Sequence, residues 1–304
     1  HLIGELVVKE KKYWKTVKVG RTHLQDATPL TFGQELSGYI SALKHDLSYI
    51  RELKPTLYEL AIGGTAVGTG LNAAPGMTEK IAGKLSEVYG HKFEVKTNKF
   101  WGLAHHSGLD VVHGALKTLA ADMFKIAQDI RLLASGPRAG YHELNIPANE
   151  PGSSIMPGKV NPTQAEAVTM AAAKVFGNDT TITFASSQGN FEMNVFKTVI
   201  IASFLDSCDI LTGTITGFAD KMIHGLTVNE ERMDELLENS LMTVTALSPH
   251  IGYHAAAKIA QTADKEGTTL REAALKSGKV TEEQYDEWMD YMQMTNVDKS
   301  TPEE

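Results

Sequence analysis

Two hydroxyls, a lysine and an asparagine are gathered in the stretch Gly152-Ser153-Ser154-Ile155-Met156-Pro157-Gly158-Lys159-Val160-Asn161-Pro162. Thr163-Gln164-Ala165-Glu166 follows and opens an alanine-rich run with the composition of a helix start. A cation, an amide donor and the exposed N–H groups of a helix N-terminus together make a cradle for a carboxylate. The small residues and prolines suit a mobile loop that closes over such an anion. The competing reading is local, because Ser153 and Ser154 could be turn or cap residues whose hydroxyls satisfy nearby backbone amides.

A second chemical segment is Gly20-Arg21-Thr22-His23-Leu24-Gln25-Asp26-Ala27-Thr28-Pro29. A lone histidine between helices is commonly structural. Here Gly20 permits unusual backbone geometry, Thr22 adds a hydroxyl, and Pro29 closes the loop before a new helix. Glu166, one turn into the helix that Pro162 opens, could simply complement the helix dipole.

Other candidates carry less. Gly63 to Gly70 is glycine-rich, but it lacks the Gly-Lys-Ser/Thr ending and the preceding strand of a phosphate loop. His105, His106 and His113 have no carboxylate or cysteine at metal-ligand spacing, so solvated histidines are expected and no metal site. The single cysteine, Cys208, excludes an internal disulfide and reads as an inert core thiol.

The elements that must position these groups are helical. Leu109, Val112, Leu116, Leu119, Met123, Ile126, Ile130 and Leu133 recur at steps of three and four, and Gly136-Pro137 ends the run. A second seam passes through Leu36, Ile40, Leu43, Leu47, Ile50 and Leu53, with Pro55 as its boundary. A third helix is expected from Pro162 to Gly177 and a fourth from about Gln188 to Ile223, while Leu2 to Tyr13 reads as the tail of another. The expectation is an all-α protein: an elongated five-helix bundle over residues 1–228, with some helices longer than about thirty residues. A small C-terminal helical domain over 229–304 is capped by Asn229 and interrupted at Gly267-Thr268-Thr269, and its polar end from Asn296 is expected to fray.

Composition bounds the function. With 304 residues, 42% hydrophobic and 22% charged, the chain can bury a sizeable core. A net charge of -8 without a basic run argues against nucleic acid. No run approaches the length of a transmembrane helix, so no membrane span is expected. The chain begins at His1 without signal-peptide features, and is read as a fragment or processed product.

The Gly-Ser-Ser-x-Met-Pro-x-Lys-x-Asn-Pro pattern resembles the signature of the fumarase/aspartase superfamily, and the Arg21-Thr22-His23 string resembles its class II fumarase version. Gly136-Pro137-Arg138, Ile146 to Pro151, Gly189 to Asn194 and Leu241 to Leu247 extend the likeness, which runs from about Val17 through Gly267. An aspartase would be expected to carry glutamine at His23. The Gly189–Asn194 segment is assigned to packing near the site.

The resemblance implies reversible hydration of fumarate to L-malate without cofactor or metal, through an aci-carboxylate intermediate. It implies Ser153 as the base on carbon, and His23 paired with Glu166 of another subunit for the departing water. Thr22, Lys159 and Asn161 then bind the dicarboxylate. It also implies a homotetramer with a twenty-helix core and sites shared between three subunits, cytoplasmic, or in the mitochondrial matrix of a eukaryote. The family carries a further N-terminal domain before the point where this chain begins, so the isolated chain is expected to be inactive or weakly active. The alternatives are an aspartase-like ammonia lyase of the same superfamily and a non-catalytic helical scaffold.

Overall fold

The computed structural model describes residues 1–303 and contains, among them, thirteen α-helices and four two-stranded ribbons. Its residues group into two compact units: one holds 1–41, 130–161 and the chain from 221 onward, the other 42–129 and 162–220.

In the first unit, helix α1 (Leu2–Lys12) buries Leu2 and Leu6 on one face. One turn further on the same face, Lys9 sends its buried ammonium to the carbonyls of His224 (2.7 Å) and Leu226 (2.8 Å). Strands β1 (Val17–Lys18) and β4 (Leu30–Thr31) pair antiparallel and enclose the hairpin of β2 (Arg21–Thr22) and β3 (Gln25–Asp26). Helix α2 (Phe32–Leu53) begins with a reciprocal cap. The Thr31 hydroxyl accepts from Gln34 N–H at 3.0 Å, and the Gln34 side-chain oxygen accepts from Thr31 N–H at 2.9 Å.

The second unit contains the remainder of α2, then β5 (Glu59–Leu60), α3 (Met77–Tyr89), β6 (Glu94–Val95), which pairs parallel with β5, and α4 (Lys99–Ala104). Its long elements are α5 (Ser107–Leu133), α6 (Thr163–Ser186) and α7 (Lys197–Phe218). Helix α6 buries Val168, Val175 and Ile182 together with Ala165, Ala172 and Ala185, and the alanines let α7 approach closely. Ile182 and Ile200 are sealed from solvent, and each contributes about 1.5–3 kcal/mol of burial.

Helix α7 is apolar nearly all round yet only partly covered: Ile201 and Leu205 are 42% and 54% exposed. With its π-turn extension to Ile223 it is long and apolar enough to cross a membrane by length and composition. Its fully buried Ser207, however, sits in a polar network with α5 and α6, which identifies it as a core helix of the bundle.

Back in the first unit, β7 (Leu144–Asn145) pairs with β8 (Thr227–Val228) before a run of short helices. These are α8 (Glu230–Asn239), α9 (Ser248–Ile251), α10 (Tyr253–Glu266), α11 (Leu270–Lys276), α12 (Glu282–Trp288) and α13 (Tyr291–Met294). The helices from α9 on, with the 3₁₀ turn Leu241–Leu247 before them, enclose a core of Leu247, Ile259, Ala263, Leu270, Ala274 and Tyr285. Asn229 caps α8 by accepting from Arg232 N–H, Gly267 ends α10 in the left-handed conformation, and Thr269 with Glu272 forms the capping box of α11.

The structure corrects several expectations. The longest helix has 27 residues, so none exceeds thirty. Helix α6 runs through Gly177 to Ser186, because tertiary packing on α7 outweighs the glycine's poor propensity. Helix α7 starts at Lys197, because the preceding residues fold into a tight turn with an Asn190–Met193 bridge. The C-terminal stretch is docked: Val297 is buried and the N–H of Glu303 bonds a carboxylate oxygen of Glu10 at 2.8 Å. His113, expected in solvent, is completely buried.

Candidate active site

His23 stands at the tip of the β2–β3 hairpin. Arg21 faces Asp26 and Thr22 faces Gln25, so His23 and Leu24 form a two-residue connection, both left-handed at φ 56° and 60°. Such a turn matches the strand twist but ordinarily selects Asn or Gly, and each bulkier residue there costs roughly 1–3 kcal/mol. The strain presents His23 and Thr22 to solvent. At the hairpin base, Ala27 N–H donates to the Gly20 carbonyl at 2.7 Å. A side chain at residue 20 would lie 2.3 Å from the Thr28 carbonyl oxygen, which explains its glycine.

The Arg21 guanidinium forks onto Glu143, with Nη1–Oε2 at 2.8 Å and Nη2–Oε1 at 3.2 Å, and lies 4.3 Å from the Tyr141 ring centroid. Glu143 is fully buried. Its second cation, Lys18, stands 3.8 Å away and itself pairs with Glu35 at 2.9 Å.

The serine loop is closed by Asn161, whose side-chain N–H donates to the Gly152 carbonyl at 2.6 Å. Residues 152 and 159 cross so tightly that only glycine fits: a Cβ on Gly152 would overlap the Lys159 carbonyl. Within this clasp the half-buried Ser153 hydroxyl oxygen accepts from the N–H groups of Ile155 and Met156, each at 3.1 Å. The local turn anticipated for a serine here is therefore present. The same geometry also supplies two fixed donors that would stabilise negative charge on that oxygen. Ser154 and Lys159 are exposed.

Along the chain Asn161 precedes Pro162, which stands at the N-cap of α6 without a side-chain cap. Glu166 lies half-buried in the first turn of that helix, its N–H bonded to the Pro162 carbonyl at 3.0 Å. Thr22 and His23 thus share one hairpin, and Ser153, Lys159 and Asn161 share one loop. Glu166 belongs to the other unit.

A second constellation escaped the sequence. Inside α5, α6 and α7, His113 Nδ1 lies 2.9 Å from Asp179 Oδ1 and its Nε2 lies 2.8 Å from Ser207 Oγ. Asn178 donates to Ser207 at 2.9 Å and to Asp206 at 2.8 Å, while Lys117 donates to Asp179 at 2.6 Å. A Ser-His-Asp order is that of nucleophilic catalysis. Ser207 and His113 have no exposed surface, so no substrate reaches them, and the network serves to bind three helices together. Burial alone would raise the Asp179 pKa, but the hydrogen bonds from Lys117 and His113 outweigh it and hold the carboxyl below its ordinary range.

Elsewhere in the second unit a cavity of about 750 Å³ is walled largely by apolar side chains such as Leu57, Leu103 and Leu109, with Lys96 and Lys197 among its cations. Of Gly189 to Asn194, expected to pack in the bundle near the site, only Asn194 is buried, donating to the Ala185 carbonyl at 3.0 Å; the other five residues are exposed. Burial pushes the Cys208 thiol above its usual pKa, as befits an unreactive side chain. Among the described residues, no group of three or more His, Cys, Asp or Glu is placed to hold a metal ion.

The chain matches the family model described as Lyase over residues 1–177, and the one described as Fumarase C C-terminus over 244–296. It is 55% identical over 292 residues to the class II fumarate hydratase of Listeria monocytogenes serovar 1/2a, covering 96% of this chain and 64% of that protein. It is 57% identical over 279 residues to the class II fumarate hydratase of Bacillus subtilis, covering 92% and 60%. The chain spans somewhat less than two thirds of the length of these curated relatives. Among solved structures it is similar to the class II fumarase of Schistosoma mansoni, with a TM-score of 0.93 at 42% identity, covering 97% of this chain and 65% of that one. It is also similar to the 3-carboxy-cis,cis-muconate lactonizing enzyme of Pseudomonas putida, with a TM-score of 0.81 at 26% identity, covering 97% and 66%.

Proposed function

The chain belongs to the lyase family of the class II fumarases, and on that premise we propose that the protein it represents catalyses the reversible hydration of fumarate to L-malate. The observation that carries this reading is the pair of backbone N–H groups aimed at Ser153 Oγ, in a loop followed by Lys159, Asn161 and an uncapped helix N-terminus. Taking a proton from carbon beside a carboxylate fails in water because the carbanion is poorly stabilised. A serine hydroxyl is also a weak base. Fixed amide donors lower the cost of its alkoxide, and a lysine with helix-terminal N–H groups stabilises the carboxylate as charge moves onto it.

Starting from malate, Ser153 takes the carbon-bound proton and the released pair enters the carboxylate, giving the aci-carboxylate. Lys159 and Asn161 hold that group, and Thr22 binds the substrate beside it. The pair then returns to form the double bond as the carbon–oxygen bond breaks, and His23 delivers the proton that lets hydroxide leave as water. Glu166 of another subunit fixes the imidazole and raises its basicity. Hydration runs the same steps in reverse.

The uncovered apolar face of α7 supports assembly through the bundle, which in this reading is a homotetramer whose sites take residues from several subunits. The bundle over 1–228 and the helical C-terminal body from 229 are its two domains here, and the cytoplasm is its compartment.

The test is an assay of the full-length enzyme for water addition to fumarate, followed by loss of alkene absorbance, beside an assay for ammonia release from aspartate. Malate formation without ammonia release is expected. Ammonia release, or neither activity, would overturn the reading.

A further inference from the structure

We propose that Glu143 is a positioning residue for His23, acting through Arg21; this rests on the reading of His23 as the proton-transfer group and deepens it. The hairpin that carries His23 has little to hold it. Its ladder is two residues long on each side, its turn is left-handed at two non-glycine residues, and its tip is exposed, with Leu24 64% open to solvent. A two-stranded ribbon of this size is not stable by itself. Proton transfer nevertheless needs the imidazole held to within a fraction of an ångström.

One strong interaction ties the hairpin to the body of its unit. The two-pronged contact of Arg21 with Glu143 fixes both the direction and the distance of strand β2, because a planar guanidinium meets a carboxylate in a single arrangement. Tyr141 stacks against the guanidinium and removes its remaining freedom. Glu143 is itself immobile: its side chain is sealed from solvent, its N–H donates to the Leu133 carbonyl at 2.9 Å, and its carbonyl accepts from Asn229 N–H at 2.8 Å. The end of α5 and the approach to α8 thus meet at this residue, and Arg21 carries that rigid frame to a point two residues from His23.

The chemistry is consistent with positioning and not with proton transfer. Glu143 is buried under two cations, Arg21 and Lys18, and has no route to solvent or substrate. Its carboxylate orients the strand; it does not exchange protons with the reacting molecule.

The experiment uses the full-length enzyme carrying Glu143→Gln, which keeps the shape but removes the charge, and Arg21→Lys, which keeps the charge but removes the fork. In variants that retain the wild-type assembly and unfolding midpoint within a few degrees, kcat should fall by about 10- to 100-fold while KM for fumarate moves by less than about threefold. The double variant should lose little more than the worse single one, since both break the same contact. Hydrogen exchange at the Thr22, Gln25 and Ala27 amides should accelerate in each variant, a readout independent of catalysis.

Wild-type kcat in folded Glu143→Gln, or unchanged exchange at the hairpin, would overturn the proposal. So would a loss of kcat only in proportion to lost assembly or stability, which marks a folding role. His23→Asn and the wild type are assayed alongside. If the wild type hydrates no fumarate, or His23→Asn turns over normally, the functional reading itself falls; if both behave as expected and Glu143→Gln does not, only the positioning role falls.

Discussion

Nδ1 of His113 lies 2.9 Å from Oδ1 of Asp179, joining α5 to α6, while the other ring nitrogen reaches Ser207 on α7. The imidazole therefore bonds to two other helices with both of its polar atoms, and nothing of it touches water. Ser207→Ala would leave Nε2 of His113 without its buried partner and Asn178 with Asp206 in place of two acceptors. We expect a loss of about 1–3 kcal/mol in urea or thermal unfolding of the full-length protein. Turnover should stay within about twofold of wild type, because this network meets no substrate. A collapse of turnover at unchanged stability would contradict the structural role.

The same network sets an acid limit. Asp179 is held below its ordinary range, so its contribution is complete above the unfolded carboxylate value of about 3.9 and fades as pH falls through the lower folded value. Asp179→Asn should therefore destabilise at neutral pH and cost progressively less as the solution approaches pH ~3. A difference that stays constant down to that pH would show that the charge is not what matters.

Asp46 behaves oppositely. Burial, followed by the neighbouring Asp122 carboxylate, raises its pKa to about 6. A raised acid stabilises fully below its unfolded value of about 3.9 and loses that contribution as pH climbs through about 6. Asp46→Asn removes a buried charge and should raise the melting temperature by roughly 2–4 °C near pH ~8, with the gain vanishing near pH ~4. An equal shift at both pH values would refute the assignment.

At the candidate active site, Ser153→Ala and His23→Asn in full-length enzyme should each lower kcat by at least ~100-fold, the scale of losing an acid or base. Either variant turning over normally would remove that residue from its proposed role.

The open face of α7 makes an assembly prediction. Replacing Ile201 and Leu205 with aspartate puts charges into the surface proposed to be covered, and light scattering should then report a smaller species than the tetramer proposed for the wild type. A wild type that is monomeric at micromolar concentration would count against assembly through this face.

Much of the architecture was legible. The seam from Leu109 to Leu133 became α5, the Leu36–Leu53 seam lies within α2, and Asn229 caps α8 as its side chain predicted. These features depend on neighbours within a turn or two, so local physics decides them. Of the boundaries that failed, the one at Gly177 was overridden by packing on another helix, and the one around Gln188 by the tight turn ahead of Lys197.

The two candidate segments could be found in the chain because each concentrates its chemistry into a few consecutive residues. His113, Asp179 and Ser207 could not, since 66 and 94 residues separate the partners and each looks ordinary alone. The same holds for Arg21 and Glu143, 122 residues apart. Sequence by itself determined which groups are available and which stretches coil into helices, since propensity, periodicity and capping act over a few residues. Only the tertiary structure decided which histidine is sealed in the core and which is lifted on a strained turn. It also decided that Arg21 meets Glu143, because burial and hydrogen-bond direction between residues so far apart exist only once distant segments are packed together.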